Sequence, residues 1–237
     1  MKAHSFIYLI IYSCFIMSVS LQAQEHFADR YNVSYITMDD GLPHNFIDDI
    51  YKDTRGFLWI STAGGGLSRY DGYEFIHFNP NTPHSKLKSN FIHNVYEDRF
   101  HRLWIVSEGG TDIIDLSTLQ SVIPNDPKGL LPRFINHPTY IVILDSQGCI
   151  WLQCDNALHR ITFDAEGGID TLSTLDLPEQ DEPDLILKDI DEDGKIWTGI
   201  NGTIYKITPT PQGQLEKSSI SEQLIFWPGI YFKDMIA

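Results

Sequence analysis

The sequence predicts an all-β fold built from β-propeller blades of four strands each, and three observations support this prediction. Tryptophan recurs about every 46 residues, a period that fits one blade. Each of these tryptophans follows an Asp by six residues and comes directly after an aliphatic residue. Short β-branched runs alternate with Gly, Asn and Asp turns, a pattern typical of consecutive strands. The repeated tryptophans are Trp59, Trp104, Trp151 and Trp197.

The first 23 residues are predicted to be a signal peptide. Lys2 supplies a positive charge, residues 6–19 form a mostly apolar run, and Ala23 is a small residue before a polar stretch. The run is shorter than the ~20 residues that span a bilayer, and no other segment is long and apolar enough to do so. We therefore expect a periplasmic or otherwise extracytoplasmic protein with no membrane span after cleavage. An uncleaved N-terminal anchor is the alternative.

A turn before each tryptophan is predicted to be the structural centre of the repeat. An Asp at its first position accepts hydrogen bonds from backbone N–H groups ahead of it, and a Gly at its fourth position supplies a positive φ angle. In the second repeat, His101 stands at the glycine position. The tryptophan is expected to pack between neighbouring blades, and a platform for ligand stacking is the alternative. The predicted structural residues are Asp53, Gly56, Trp59, Asp98, Trp104, Asp145, Gly148, Trp151, Asp191, Gly194 and Trp197.

Three strands of each blade are clear in the sequence, and a fourth, outer strand is fainter. One strand precedes the Asp turn, a second carries the tryptophan, and a third follows a turn rich in Gly, Asn or Asp. The segment 31–38 also has strand character and is expected to precede the first blade. The first strands are predicted at 47–51, 92–96, 140–144 and 186–190, and the third strands at 67–70, 113–114, 158–161 and 204–207.

A fifth blade is predicted to begin at Ile230, because residues 230–236 resemble the strand that precedes each Asp turn. At the same period, the tryptophan of that blade would fall beyond Ala237. Propellers close with ~4 to 8 blades, so we expect residues 24–237 to form a partial propeller shaped as an open arc. Its open blade edges are expected to self-associate.

Two phrases of the sequence resemble the two-component regulator propeller family. One lies between Tyr35 and Ile47 and contains Asp-Gly-Leu-Pro-x-Asn, and the other is Gly-Leu-Ser-Arg-Tyr-Asp-Gly from Gly66 to Gly72. The resemblance implies an N-terminal fragment of the periplasmic sensor region of a Bacteroidetes hybrid two-component histidine kinase. It further implies a carbohydrate-derived signal. Kinase activity is not expected, since the sequence lacks a phospho-accepting His motif and ATP-binding glycine boxes.

No catalytic residue, metal site or cofactor is predicted. The formal net charge of −15 disfavours nucleic-acid partners. Four histidines between residues 77 and 101 lack the spacing of a metal site. The glycines at 64–66 lead into a strand, so they are interpreted as a turn and not as a phosphate loop. Cys149 and Cys154 are expected to be packed thiols, because their odd spacing places them on opposite faces of a strand.

The expected function is non-enzymatic ligand sensing by loops on the open face of the propeller. Such loops carry Asp, Asn, Arg and aromatic side chains suited to sugar hydroxyls. Arg69, Tyr70 and Tyr73 are candidates, although Arg69 and Tyr70 also fit a role in strand pairing. Two alternatives stay open: a propeller enzyme, such as a streptogramin-type lyase or a sialidase-like hydrolase, and a non-catalytic interaction scaffold.

Overall fold

A row of antiparallel β-sheets makes up the part of the protein that the computed structural model describes. Thr37–Ala237 forms one unit, and Tyr35 and Ile36 belong to a separate unit, Met1–Ile36. The predicted leader and the predicted fifth blade from Ile230 lie outside the described residues. The described residues are 35–83, 86–177, 186–190, 195–200, 203–210 and 213–219.

Four sheets follow one another along the chain, and each is one blade. Blade 1 contains β1 (Ile47–Lys52), β2 (Leu58–Thr62), β3 (Gly66–Tyr70) and β4 (Phe75–Phe78). Blade 2 contains β5 (Ile92–Glu97), β6 (Arg102–Ser107) and β7 (Gly110–Asp115). Blade 3 contains β8 (Thr139–Leu144), β9 (Ile150–Cys154), β10 (Ala157–Phe163) and β11 (Ile169–Asp176). Blade 4 contains β12 (Ile186–Ile190), β13 (Ile196–Ile200), β14 (Thr203–Pro209) and β15 (Leu215–Ser219).

Within every blade, strands that are consecutive in the chain pair side by side and antiparallel. Short turns between strands favour this order, because antiparallel neighbours need only a few connecting residues. No sheet among the described residues closes on itself. The predicted all-β class and the blade-by-blade strand order are confirmed.

Blade 2 departs from the expected four strands, since a strand is replaced by an irregular connection. The only regular pairing beyond β7 is a single bridge between Ile114 and Ser121, within the described part of the blade. Val122 N donates to Ile113 O at 2.9 Å, so the connection still satisfies the edge of β7. The connection then forms a 3-10 helix at Leu131–Arg133 and buries Leu131 and Phe134.

The expected strand at 31–38 is wrong where the structure describes that segment. Tyr35 and Ile36 are not in a strand, and a 3-10 helix covers Met38–Asp40. Thr37 accepts a hydrogen bond from Asp39 N, and Asp40 accepts one from Thr37 N at 2.8 Å. This capping box supports a helical turn, and the local hydrogen bonds prevail over the strand propensity of the apolar residues.

The hydrophobic core lies between the blades. Trp59 is fully buried and belongs to the same cluster as Val95 and Ile105 of blade 2. Trp104 packs in the same way with Val142 and Leu152 of blade 3. Trp151 packs with Ile196 and Ile207 of blade 4, and Trp197 of that blade is only partly buried.

The first strands of consecutive blades contact each other, β1 with β5 and β5 with β8. Blades 1 and 2 therefore each contact the next blade through both a buried tryptophan and the backbone of the first strand.

Candidate functional site

The Asp turn of blade 1 uses both oxygens of one carboxylate. Asp53 Oδ1 accepts from Arg55 N at 3.0 Å and from Phe57 N at 2.9 Å. Its Oδ2 accepts from Trp59 Nε1 at 2.8 Å. Gly56 has φ +94 and closes the turn. One buried carboxylate thus joins the turn to the tryptophan that packs against the next blade.

The same arrangement recurs in blades 2 and 3. Trp104 Nε1 and Trp151 Nε1 each donate at 2.9 Å to the Oδ2 atoms of Asp98 and Asp145. An arginine adds a second donor to each Oδ2, Arg102 at 2.7 Å and Arg160 at 3.2 Å. The remaining predicted turn residues are placed as follows: Gly148 has φ +77, His101 has φ +57, and Asp191 and Gly194 lie outside the described residues.

One further turn of this kind was missed by the sequence reasoning. Asp164 Oδ1 accepts from Glu166 N at 3.0 Å and Gly168 N at 2.7 Å, between β10 and β11. The Asp-x-x-Gly phrase from Asp164 to Gly167 was its signal. No tryptophan follows this phrase, so it does not share the pattern that marks the other turns.

Neighbouring blades are joined by a side chain of the first strand, at the position ten residues before the tryptophan. Asn94 Nδ2 donates to Val142 O at 2.9 Å, and Asn94 Oδ1 accepts from Val142 N at 3.0 Å. At the same position of blade 1, Asp49 accepts from Val95 N at 3.4 Å. Burial raises the pKa of Asp49, and this hydrogen bond only partly offsets it. We call these two contacts the clasps between blades.

A second contact between blades surrounds Glu97 at the end of β5. Its carboxylate accepts from Thr54 N and from Thr54 Oγ1, both at 2.7 Å, and lies 2.8 Å from His101 Nδ1. Burial alone would raise the pKa of Glu97, but these donors outweigh it and hold the pKa below its ordinary value. The Asp turn of blade 1 is thereby fastened to blade 2.

The opposite end of the sheets, where the second strands finish, carries the connections between blades. We call this end the loop face. Gly64 N and Gly66 N both donate to Asn90 O, at 3.1 and 2.9 Å, and Thr111 N donates to Ile135 O at 3.1 Å. A turn of one blade is therefore hydrogen-bonded to the chain that enters the next blade. The loop face comprises residues 42–46, 63–66, 86–91, 108–110, 134–139 and 155–156.

Two exposed aromatic side chains occupy equivalent positions on the loop face, each directly before a first strand. Phe46 is 65% exposed and Phe91 is 48% exposed. Ala63 N donates to Phe46 O at 3.1 Å, and Ala63 forms an antiparallel bridge with Phe91. Because Ala63 lies between them, the two backbones are two strand spacings, or about 10 Å, apart.

Polar groups surround these aromatic side chains along the loop face. Asn45 and Asn90 are exposed and directly precede Phe46 and Phe91. At the start of blade 3, His137 Nδ1 lies 3.1 Å from Asp155 Oδ2, and both side chains are about half exposed. The loop face thus combines apolar ring surfaces with amide, imidazole and carboxylate groups, a composition suited to binding an amphipathic ligand.

The structure does not bring the three residues singled out from the sequence to the loop face. They lie at the opposite end of blade 1, beside the turn from β3 to β4. The guanidinium of Arg69 lies over the Phe57 ring at 4.1 Å, and Tyr70 stacks on Phe75 with ring centroids 4.5 Å apart. Tyr73 is 92% exposed. Arg69 and Tyr70 therefore have structural contacts, and Tyr73 stands apart from the loop face.

The described residues contain no group of three or more His, Cys, Asp or Glu side chains that could hold a metal ion. Cys149 and Cys154 are free and buried, and burial raises the pKa of each thiol to about 11. Neither thiol is therefore ionised near neutral pH, which leaves it a poor nucleophile.

One family match falls on the start of blade 1. It includes the Asp turn that leads into β2 and the first of the glycines that follow β2. Residues 41–64 match the two-component regulator propeller family. The resemblance expected from these residues is confirmed. No curated protein has a sequence that matches this chain.

Solved structures with the same fold include two extracellular domains of putative hybrid two-component systems from B. thetaiotaomicron. The first is 24% identical with a TM-score of 0.56, covering 82% of this chain and 27% of that domain. The second is 18% identical with a TM-score of 0.52, covering 78% of this chain and 32% of that domain. This chain thus spans about a quarter to a third of the length of these domains.

A streptogramin B lyase structure is also similar, with 17% identity and a TM-score of 0.50 over 75% of this chain and 55% of the lyase. Identities this low indicate a shared fold and nothing about shared chemistry. Across the described residues, the structure has no helix of the length and apolar character needed to cross a membrane.

Proposed function

We propose that this chain is the ligand-sensing propeller of a two-component signalling system, acts outside the cytoplasm, and has no catalytic activity of its own. The support is the match of residues 41–64 to the regulator family and the shared fold with extracellular domains of hybrid two-component systems. The signalling output would come from kinase domains that this sequence does not contain.

The proposed ligand is a carbohydrate-derived molecule held on the loop face. The main support for this proposal is the pair Phe46 and Phe91, which expose aromatic surface at equivalent positions of consecutive blades. Sugar rings present apolar C–H faces to aromatic rings, and their hydroxyl groups bind amide and carboxylate groups such as those of Asn45, Asn90 and Asp155. A separation of about 10 Å between the two backbones suits a ligand of at least two sugar units.

The proposal is tested by measuring the binding of a panel of short neutral and acidic oligosaccharides, using saturation-transfer NMR and then calorimetry. We expect at least one oligosaccharide to bind the wild-type chain. Phe46→Ala and Phe91→Ala should each weaken binding about tenfold, which corresponds to about 1.4 kcal/mol. The weakening follows from the loss of aromatic contact area.

Tyr73→Ala is the matched control, because Tyr73 is an exposed aromatic residue at the opposite end of blade 1. It should leave binding unchanged. The proposal would be refuted if no oligosaccharide bound, or if an oligosaccharide bound equally well to both phenylalanine variants.

A further inference from the structure

The chain that enters blade 3 has the same surface pattern as the chains that enter blades 1 and 2. In each blade, the residue 13 positions before the tryptophan is apolar and exposed, and the residue before it is polar and exposed. The apolar residues are Phe46, Phe91 and Pro138, and the polar residues are Asn45, Asn90 and His137. Blade 3 therefore repeats, with other side chains, the surface that the proposed ligand contacts on blades 1 and 2.

Backbone hydrogen bonds place Pro138 in blade 3 as they place Phe46 in blade 1. Ala63 N donates to Phe46 O at 3.1 Å, and Asp155 N donates to Pro138 O at 3.4 Å. Ala63 and Asp155 each stand four residues after the tryptophan of their own blade. The two positions are therefore equivalent in structure as well as in sequence.

The turn from β6 to β7 lies between the chain that enters blade 2 and the chain that enters blade 3. A Cβ added to Gly109 would lie 2.9 Å from Lys88 Cβ, and one added to Gly110 would overlap Ile135 O. The chains that enter blades 2 and 3 are thus separated by one turn, as are those that enter blades 1 and 2. The loop face therefore continues from blade 2 to blade 3.

The position in blade 3 offers hydrogen-bond acceptors in place of an aromatic ring. His137 Nδ1 lies 3.1 Å from Asp155 Oδ2, and the two side chains are 50% and 57% exposed. A neutral imidazole that donates from Nδ1 has an accepting lone pair on Nε2, and the carboxylate retains Oδ1 as a second acceptor. The hydrogen bonds between described residues use neither atom. These two acceptors suit two hydroxyl groups of one sugar unit, and the Pro138 ring supplies a small apolar surface next to them.

We propose that the loop face binds a linear oligosaccharide of at least three units, and that His137 and Asp155 hold the third unit through its hydroxyl groups. This inference rests on the proposed function, in which Phe46 and Phe91 contact the first two units. The third unit adds contacts without a further loss of translational freedom of the ligand. A trisaccharide should therefore bind more tightly than the disaccharide of the same series.

Calorimetric titration of the full chain tests the inference, with maltose and maltotriose, xylobiose and xylotriose, and laminaribiose and laminaritriose as the probes. In at least one series, the trisaccharide should bind about tenfold more tightly than the disaccharide. His137→Ala and Asp155→Gly should each reduce this ratio to about twofold or less and leave the affinity for the disaccharide unchanged. Glycine is chosen because Asp155 has φ +48, which glycine adopts without strain.

His101→Asn is the matched control, because it removes an imidazole that is also paired with a carboxylate. His101 Nδ1 lies 2.8 Å from Glu97 Oε1, at the end of the blades opposite the loop face. Asparagine tolerates the positive φ of this position. The control should leave the affinities for both lengths unchanged, and circular dichroism melts should show that all variants stay folded.

Two results would overturn the inference and leave the proposed function standing. One is a set of series in which disaccharides bind and trisaccharides bind no more tightly. The other is a ratio that persists in both blade 3 variants. If no oligosaccharide of either length bound, the inference and the proposed function would both fail.

Discussion

A single buried carboxylate has two structural tasks in each of the first three blades. In blade 2, Asp98 Oδ1 accepts from Phe100 N at 2.9 Å and from Arg102 N at 3.0 Å, while Oδ2 accepts from Trp104 Nε1 at 2.9 Å. The indole N–H of a buried tryptophan needs an acceptor, and the turn supplies one. The Asp and the Trp therefore depend on each other.

Removing the central tryptophan of blade 2 should be strongly destabilising. Trp104→Ala leaves a cavity between blades 2 and 3 and removes one of the two side-chain donors to Asp98 Oδ2, and should lower the free energy of unfolding by about 3–5 kcal/mol. Urea denaturation followed by circular dichroism measures the loss. Tyr73→Ala, at an exposed position, should change stability by less than about 0.5 kcal/mol. A loss below about 1 kcal/mol for Trp104→Ala would contradict the buried position.

The clasp between blades 1 and 2 should be improved by an amide. Asp49→Asn can accept from Val95 N and also donate to Val95 O, as Asn94 does with Val142. We expect a gain of about 1 kcal/mol in the free energy of unfolding at neutral pH. Asp48→Asn, at the exposed neighbouring position, is the matched control: it removes a like charge beside Asp49 but adds no donor to the clasp, so its gain in stability should be smaller than that of Asp49→Asn.

The gain from Asp49→Asn should depend on pH. The folded state raises the pKa of Asp49, so the protonated carboxyl is favoured on folding. The wild-type chain therefore loses stability as the pH rises from the ordinary Asp value of about 4 through the raised folded value. The amide variant lacks this loss, so its advantage should grow between those pH values. A difference that is the same at all pH values would argue against the clasp.

At the residue scale, a structural role could be predicted from the sequence only where the residue recurs at the same position of each repeat. Asp53, Asp98 and Asp145 were predicted because they stand at a constant distance from a tryptophan. Asp49 and Asn94 were not, because each bonds the backbone of another blade, and blade 3 has Ile141 at the same position. A hydrogen bond from a side chain to the backbone of a distant residue is therefore hard to predict from one sequence.

At the scale of single elements, the turns of the loop face are limited by close backbone approach. A Cβ added to Gly110 would lie 2.4 Å from Ile135 O, and the residue has φ +117. Gly72 has a similar φ of +102, but nothing lies within 4 Å of its added Cβ. A substitution at Gly72 would therefore introduce backbone strain alone, whereas a substitution at Gly110 would introduce backbone strain and a steric overlap.

Gly110→Ala should consequently destabilise the chain more than Gly72→Ala. Backbone strain alone should cost about 1–3 kcal/mol at Gly72. The overlap with Ile135 should add about 1–3 kcal/mol at Gly110. Thermal unfolding of both variants measures the difference. Equal losses would mean that the turn of blade 2 can move away from the chain entering blade 3.

Blade 2 also shows why an outer strand is harder to predict than an inner one. The first three strands of a blade have apolar residues on both faces and tight turns between them, so they are visible in the sequence. The fourth strand of a blade needs only to form hydrogen bonds with the free edge of the third strand. In blade 2 the irregular connection after β7 forms such hydrogen bonds without being a strand.

At the scale of the whole molecule, export is the prediction that the sequence supports most directly. Lys2, the apolar run at 6–19 and Ala23 predict cleavage after residue 23. Mass spectrometry of protein recovered from the periplasm of a Gram-negative host should find a mature chain beginning at Gln24. An intact chain beginning at Met1 and recovered from the cytoplasm would contradict this prediction.

The repeat predicted most of the fold and little of the candidate site. A period of about 46 residues is a property of the entire chain, so it survives the replacement of Gly by His101 and the loss of a strand in blade 2. The loop face depends on which side chains remain exposed after the blades pack. Phe46 and Phe91 look like ordinary core residues until that packing is known.

The hydrogen bonds from Gly64 N and Gly66 N to Asn90 O have a mechanical consequence. They lie at the joint between two rigid sheets, and Phe46 and Phe91 stand on either side of that joint. If the proposed ligand touches both rings, we expect it to restrict the angle between blade 1 and blade 2. Since each blade contacts mainly its neighbours, a change of angle at this joint would displace the more distant blades further than blade 2 itself.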